Sequence, residues 1–170
     1  MMKITEPKLE DRNVQHYVGI RTQTTLQEMG TGLIPRLHKE VFVWLEKQGV
    51  APGAPFLRFH VINMEAKLDI EMGWPLANAL EGDGRITAGV LPAGRYATLV
   101  YTGLKNGIKA NKALLDWGAQ KGLVWDRWEA ENGDAFGARF ESYLTDPADE
   151  PDPAKWEIEV AIRLADDHPQ

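Results

Sequence analysis

The sequence predicts an α+β fold made of two copies of one strand-helix-strand-strand unit, and two observations predict it. The first is an ordered echo. Trp44-Leu-Glu-Lys-Gln-Gly49-Val50 recurs as Trp117-Gly-Ala-Gln-Lys-Gly122-Leu123, Arg58-Phe59-His60 as Arg139-Phe140-Glu141, and Asp69-Ile70-Glu71-Met72 as Glu157-Ile158-Glu159-Val160. Three short matches in the same order imply a duplicated unit packed about a pseudo-two-fold axis, with a crevice along it. The second is a hydrophobic period that alternates between strand-like and helix-like in the same succession in each half. The echoes bound the repeats at about 14–73 and 94–164, within a single domain over 1–170.

The elements follow in order. A polar leader precedes a strand from Val14 to Arg21, rich in β-branched and aromatic residues. Leu33, Leu37, Val41 and Leu45, with Ile34 and Trp44, give the first helix its apolar stripe; Pro35 is tolerated in the first turn and Gly49 ends the helix in a left-handed cap. Phe56–Ile62 and Ala66–Met72 read as strands, and the polar loop Glu81–Gly84 leads into another at Arg85–Val90. The second unit opens with the strand Arg95–Tyr101. Leu104, Ile108 and Leu115 are the expected buried stripe of the second helix, which Gly122 ends. Arg139–Leu144 and Trp156–Leu164 complete it. The connection from Gly122 to Arg139 is longer than its counterpart from Gly49 to Arg58 and carries Trp125 and Trp128, as an inserted loop. The last hairpin is lengthened by the acidic, proline-rich stretch from Thr145 to Pro153.

Composition excludes several classes. At 170 residues and 44% hydrophobic content the chain can bury one sizeable core. With no cysteine it has neither disulfides nor a thiolate metal site, which fits a reducing cytoplasm. No signal peptide or membrane-spanning run is present, so a soluble cytoplasmic protein is expected. A net charge of −6 with scattered Lys and Arg argues against direct nucleic-acid binding. The four histidines lack metal-site spacing, and no phosphate loop or nucleophile elbow occurs. Neither metal nor cofactor is called for.

Glu141 is the residue of most interest. Strand alternation puts Arg139, Glu141 and Tyr143 on one face and Phe140, Ser142 and Leu144 on the other, with the apolar face expected against the helices. A carboxylate and a phenol two residues apart can hold a cation or serve as acid and base. Arg58 and His60 are expected on the matching face of the first unit. The plain alternative pairs Glu141 with Arg139 or Arg58 on a solvated strand. Asp69, Glu71, Glu157 and Glu159 read as the polar faces of amphipathic strands. Trp44, Trp117 and Trp156 fall on core faces, whereas Trp74, Trp125 and Trp128 lie in or beside loops, where they can line a pocket for flat or cationic molecules.

The second half also carries Ile86-Thr-Ala-Gly89-Val90-Leu91-Pro92-Ala93-Gly94-Arg95-Tyr96-Ala97, then Gly103, then Phe140-Glu141-Ser-Tyr143-Leu144-Thr-Asp146 and Trp156-Glu157-Ile158-Glu159. Together with Phe59-His60 and Asp69–Pro75, this resembles the GyrI-like small-molecule-binding domain, the effector-binding module of AraC-type and MerR-type multidrug regulators. The resemblance runs from about Val14 to Leu164. It implies a mostly antiparallel sheet with two helices and a central ligand crevice. It also implies that Glu141 lies at the floor of that crevice, where it attracts lipophilic cations, with Tyr143 on the same side and Tyr101 among the lining residues. One departure is that Leu104-Lys105 follow Gly103 where the family often has proline and an aromatic; a lysine there opposes polycationic ligands, and Trp125 or Trp128 is expected to supply the missing wall.

Little chain lies outside the two units, so a free-standing module without a helix-turn-helix is expected. The readings the resemblance opens are a binder of lipophilic, aromatic or cationic compounds, a hydrolase of cyclopropane-bearing natural products using Glu141 and Tyr143, or a protein that modulates DNA gyrase or a regulator. A haem-binding protein of the SOUL type rests on His60 alone.

Overall fold

A computed structural model describes residues 3–63, 65 and 67–166. Its strands are β1 (Lys3–Ile4), β2 (Lys8–Arg12), β3 (Gln15–Thr24), β4 (Phe56–Ile62), β5 (Leu68–Pro75), β6 (Ile86–Leu91), β7 (Gly94–Thr102), β8 (Arg127–Ala130), β9 (Gly133–Phe136), β10 (Arg139–Tyr143) and β11 (Glu157–Arg163). A one-turn helix α1 (Leu26–Glu28) precedes the two main helices, α2 (Ile34–Lys47) and α3 (Gly107–Gln120). All strand ladders are antiparallel, and the central run of the sheet is β7-β11-β10-β4-β5-β3.

That order is the duplication made visible. Outward from the central β10–β4 ladder, each side gives the third-strand neighbour and then the first strand of its own unit. The registers agree as well. Arg58 pairs with Glu71 and Ser142 with Glu159; Tyr17 pairs with Pro75 and Tyr96 with Arg163. Tyr17 stands edge-on to Phe56 at 5.0 Å, and Tyr96 to Phe140 at 5.9 Å. Tyr17 therefore matches Tyr96, Phe56 matches Phe140, Leu57 matches Glu141 and Arg58 matches Ser142. This corrects the echo of Arg58-Phe59-His60 with Arg139-Phe140-Glu141. Aligned on those letters the strands are displaced by an odd number of residues, and an odd displacement turns every side chain to the wrong face.

The helices confirm the match at their C-termini. Val50 N–H donates to Leu45 O and Gly49 N–H to Glu46 O; Leu123 N–H donates to Gly118 O and Gly122 N–H to Ala119 O. Both glycines have φ of 70°, the left-handed residue that this double closure requires. Leu37, Val41 and Leu45 of α2 are buried against β3 and β5, each contributing roughly 1.5–3 kcal/mol. α3 buries a different stripe from the one expected. Ala110, Leu114 and Gly118 face the sheet, while Leu104 and Ile108 are exposed, Ile108 by 73%. The cause is local: Gly103 (φ 95°) and a short 3-10 turn at Leu104–Asn106 precede the helix and set its rotation.

Where Leu45 fills the core of the first unit, Gly118 leaves a notch in the second. The indole of Trp125 occupies it, so closely that a Cβ on Gly118 would lie 2.2 Å from the ring. Trp125 is therefore a core filler. The inserted connection is also not a loop: β8 and β9 form a hairpin whose second strand extends the β4 ladder at Val61↔Ala135. The polar leader forms β1 and β2, which pair with the otherwise open edge of β7. The third strand begins at Leu68; Ala66 lies outside the described residues.

Superposing residues 14–73 on 94–164 in a crystal structure should overlay Trp44 on Trp117 and Phe56 on Phe140; displaced tryptophans would refute the duplication. Trp125→Ala should cost about 2–4 kcal/mol in thermal or denaturant unfolding, less than a fully buried aromatic because Trp125 keeps partial exposure. Adding Gly118→Leu should restore part of that loss, since leucine stands at the matching place in α2. A double variant no more stable than the single one would argue against the equivalence.

Candidate functional site

Glu141 and Leu57 are direct partners in the central ladder. α2 packs on β3 and β5 and α3 on β7, so the strands that join the repeats lie beneath the seam between the helices. Glu141 faces this seam. The face carrying Phe140 turns instead to a third apolar cluster with Tyr17, Phe56, Leu91 and Tyr96 on the far side of the sheet. This reverses the expectation that the apolar face of β10 meets the helices: the two helices need a gap between them, and the polar face fills it.

The Glu141 carboxylate is densely surrounded by protein, although the residue as a whole is only partly buried. Its Oε1 accepts from the Tyr101 hydroxyl at 2.5 Å and its Oε2 lies 3.5 Å from Asn111 Nδ2. Asn111 Oδ1 in turn accepts from the Arg139 guanidinium at 3.0 Å, and that guanidinium stacks on Phe136. Arg139 thus reaches Glu141 through an amide, and among the described residues no cation pairs directly with the carboxylate. Burial raises its pKa above the ordinary 4.5; the Tyr101 hydroxyl, the Arg139 charge and Asn111 oppose the rise without cancelling it. Gly107 lets α3 come this close, since a Cβ there would lie 3.0 Å from the Tyr101 hydroxyl oxygen.

Tyr143 touches the apolar clusters under both helices. Burial, with the Glu141 charge second, keeps its phenol protonated, and no described group hydrogen-bonds its hydroxyl. Its ring is edge-on to His38 at 5.8 Å, and His38 to Trp74 at 5.9 Å. His38 is neutral, its pKa pushed by burial down to about 4, and Nε2–H donates to Phe56 O at 2.8 Å. Trp74 Nε1–H donates to the His38 carbonyl. The exposed Leu104 and Ile108, with Lys105, stand at the start of α3.

Glu141, Tyr143, Tyr101 and Trp74 therefore share the helix side, and the other candidates do not join them. Arg58 and His60 lie on the opposite face. Arg58 donates to the Tyr17 hydroxyl, Val90 O and Gly137 O. His60 sits at a β-bulge between Phe59 and Val61 and pairs through Nε2 with Glu71 at 2.7 Å. That nitrogen, paired with Glu71 on a mostly buried ring, is not free to meet a haem iron in this arrangement. Glu71 is not on a solvated face, as expected, but buried, and it also accepts from Tyr17 at 2.6 Å. Trp125 is in the core and Trp128 is 53% exposed on the β8–β9 hairpin, so neither walls the seam. Asn111 and His38 were missed. Each is a polar residue on the buried phase of a helix, beside Ala110 and Leu37, and that phase was the available signal. Among the described residues no His, Cys, Asp and Glu cluster suits a metal, and no helix is long and apolar enough to cross a membrane.

Comparison with known proteins extends this description. The EcmrR C-terminal domain matches with a TM-score of 0.74 at 19% identity, covering 95% of this chain and 98% of that one. In the EcmrR–DNA complex the match has a TM-score of 0.71 at 18% identity and covers 95% of this chain, which spans 58% of the EcmrR chain. SAV2435 bound to tetraphenylphosphonium matches at 0.61 and 14% identity, with 95% and 94% coverage. A hydrolase from Listeria innocua matches at 0.62 and 12% identity, with 94% and 92% coverage. No protein of curated function matches by sequence. At such identities the likeness speaks for the fold alone. The sequence match is broader in meaning: residues 5–165 fit the GyrI-like small molecule binding domain, and the chain belongs to that family.

Proposed function

We propose that the seam binds a lipophilic cation of single charge, with Glu141 as its counter-charge. The observation that carries the reading is a carboxylate at the join of the repeats with a raised pKa and no direct ion pair. Leaving such a group without a partner is costly, and an organic cation relieves that cost while its apolar body needs little solvation. Tyr101 holds the carboxylate in place, and Tyr143, backed by His38 and Trp74, offers an aromatic wall. His38 is neutral and does not repel the ligand, whereas Lys105 at the rim disfavours multiple charge. That a relative of this fold, SAV2435, was solved bound to tetraphenylphosphonium supports the choice of ligand class.

A second reading has its own observation: the free Tyr143 hydroxyl lies two residues from a carboxyl of raised pKa, and a relative of this fold is a hydrolase. In a ring-opening of an activated cyclopropane, Glu141 takes a proton from water as the water oxygen bonds to ring carbon. The breaking carbon–carbon bond leaves its electron pair on the activating group, which Tyr143 protonates, and the proton held by Glu141 then returns to the Tyr143 phenolate through solvent, so that the net change is the addition of one water.

Glu141→Gln should weaken tetraphenylphosphonium binding by about tenfold or more, or ~1.4 kcal/mol, measured by calorimetry. Its melting temperature at neutral pH should be kept or raised, because glutamine retains the shape and removes a desolvated charge. Equal affinity in the two proteins would make Glu141 structural. On the second reading, both Glu141→Gln and Tyr143→Phe abolish the mass gain of one water on a cyclopropane-bearing alkylator; turnover unchanged in either variant would exclude it.

A further inference from the structure

The face of the sheet away from the helices holds a cavity of about 420 Å³, within the range of small-molecule sites. The duplication explains why it exists. In the first repeat Arg58 pairs across the ladder with Glu71, donates to the Tyr17 hydroxyl and lies 6.0 Å from the Tyr17 ring. The matching ladder pair in the second repeat is Ser142 with Glu159, beside Tyr96. Serine has no long side chain, so the volume that Arg58 takes up in one repeat remains as cavity in the other, with Ser142, Tyr96, Phe140 and Glu159 among its walls.

A guanidinium is supplied there nonetheless, from elsewhere in the chain. Arg12 of β2 pairs with Glu159 at 2.7 Å and lies 5.5 Å from the Tyr96 ring and 5.9 Å from the Phe140 ring. It thus places a guanidinium near the tyrosine ring of its repeat, as Arg58 does, but it bonds to the carboxylate of Glu159 where Arg58 donates to the Tyr17 hydroxyl. Because Arg12 enters from the leader strand and not from β10, the space that the stem of Arg58 fills in the first repeat stays open beneath it.

The charges at this cavity select its ligand. Arg12 is held by two carboxylates, Glu10 and Glu159, both at 2.7 Å, and Glu10 also meets Lys8 at 3.3 Å. Neither sign of charge is left over for a ligand, and the ring faces that attract cations are already beside Arg12. A charged ligand would lose its hydration without a partner. An uncharged one gains the accessible apolar surface of Val14, Pro75, Pro92 and Leu144 over a floor of buried rings, with the Ser142 hydroxyl for a polar group. We infer that the second repeat carries a separate site for an uncharged aromatic or alicyclic ligand, roofed by Arg12, on the sheet face opposite Glu141.

The test uses the full chain and the neutral fluorophore N-phenyl-1-naphthylamine. Binding should be saturable, with intermolecular nuclear Overhauser effects to the methyls of Val14, Leu91 and Leu144. Two variants close the space: Ala54→Trp on an exposed wall, and Ser142→Met, an unbranched stand-in for the stem of Arg58. Each should keep a cooperative melting transition and lose about tenfold or more in fluorophore affinity. Ala54→Trp should leave tetraphenylphosphonium binding unchanged. Fluorophore contacts to Ile108 and Leu115, no saturable binding, or undiminished binding in both folded variants would overturn the proposal. The fluorophore readout stands whether or not a cation binds at the seam.

Discussion

Glu141 and Leu57 face one another across the ladder that joins the two repeats, and that unlike pair sets the character of the molecule. Symmetry alone would put matching residues there, and two leucines would close the seam with an apolar contact. A carboxylate in place of one leucine must instead be held by polar groups. Tyr101, Asn111 and, through Asn111, Arg139 converge on it from β7, α3 and β10 itself. Gly107 serves this requirement, since without a Cβ there the helix comes close enough to present Asn111.

The support given to Glu141 is incomplete, which distinguishes it from a carboxylate in a structural ion pair. Its raised pKa means that the native state keeps a proton that the unfolded chain releases near the ordinary carboxylate value. The stability linked to this group is therefore full at low pH and is lost as pH climbs from about 4.5 through the raised native value. Glu71 is the useful contrast. It too is buried, but Tyr17 and His60 bond to it and Arg58 lies close by, and their effect outweighs burial and lowers its pKa. One buried carboxylate is satisfied by its own chain; the other is left able to gain from a ligand.

Much of this was legible in the sequence because it rests on local rules. The Trp-to-Gly spacing identified both helix ends, where the left-handed glycines close identical caps, and Asp69–Met72 against Glu157–Val160 set the last strands in correct register. Alternation on β10 puts Glu141 and Tyr143 on one face, although not on the side of the sheet that it suggested. What was not legible depends on tertiary geometry. Arg58-Phe59-His60 and Arg139-Phe140-Glu141 look alike but sit out of phase, and only the partner strands reveal that Phe56 is the counterpart of Phe140. Trp125 looked like a binding aromatic because the notch it fills, at Gly118, is the absence of a side chain. Arg12 lay in a leader without evident pattern, and its role comes entirely from the open edge of β7.

The central claim is that Glu141 is an under-compensated carboxylate awaiting a cation. Titrating its side-chain carboxyl by carbon-13 NMR, with and without tetraphenylphosphonium, tests that most directly. The account predicts a midpoint above 4.5 in the free protein, falling when the cation is added, because the ligand stabilises the charged form. A midpoint at or below the ordinary value, unmoved by the cation, would contradict it.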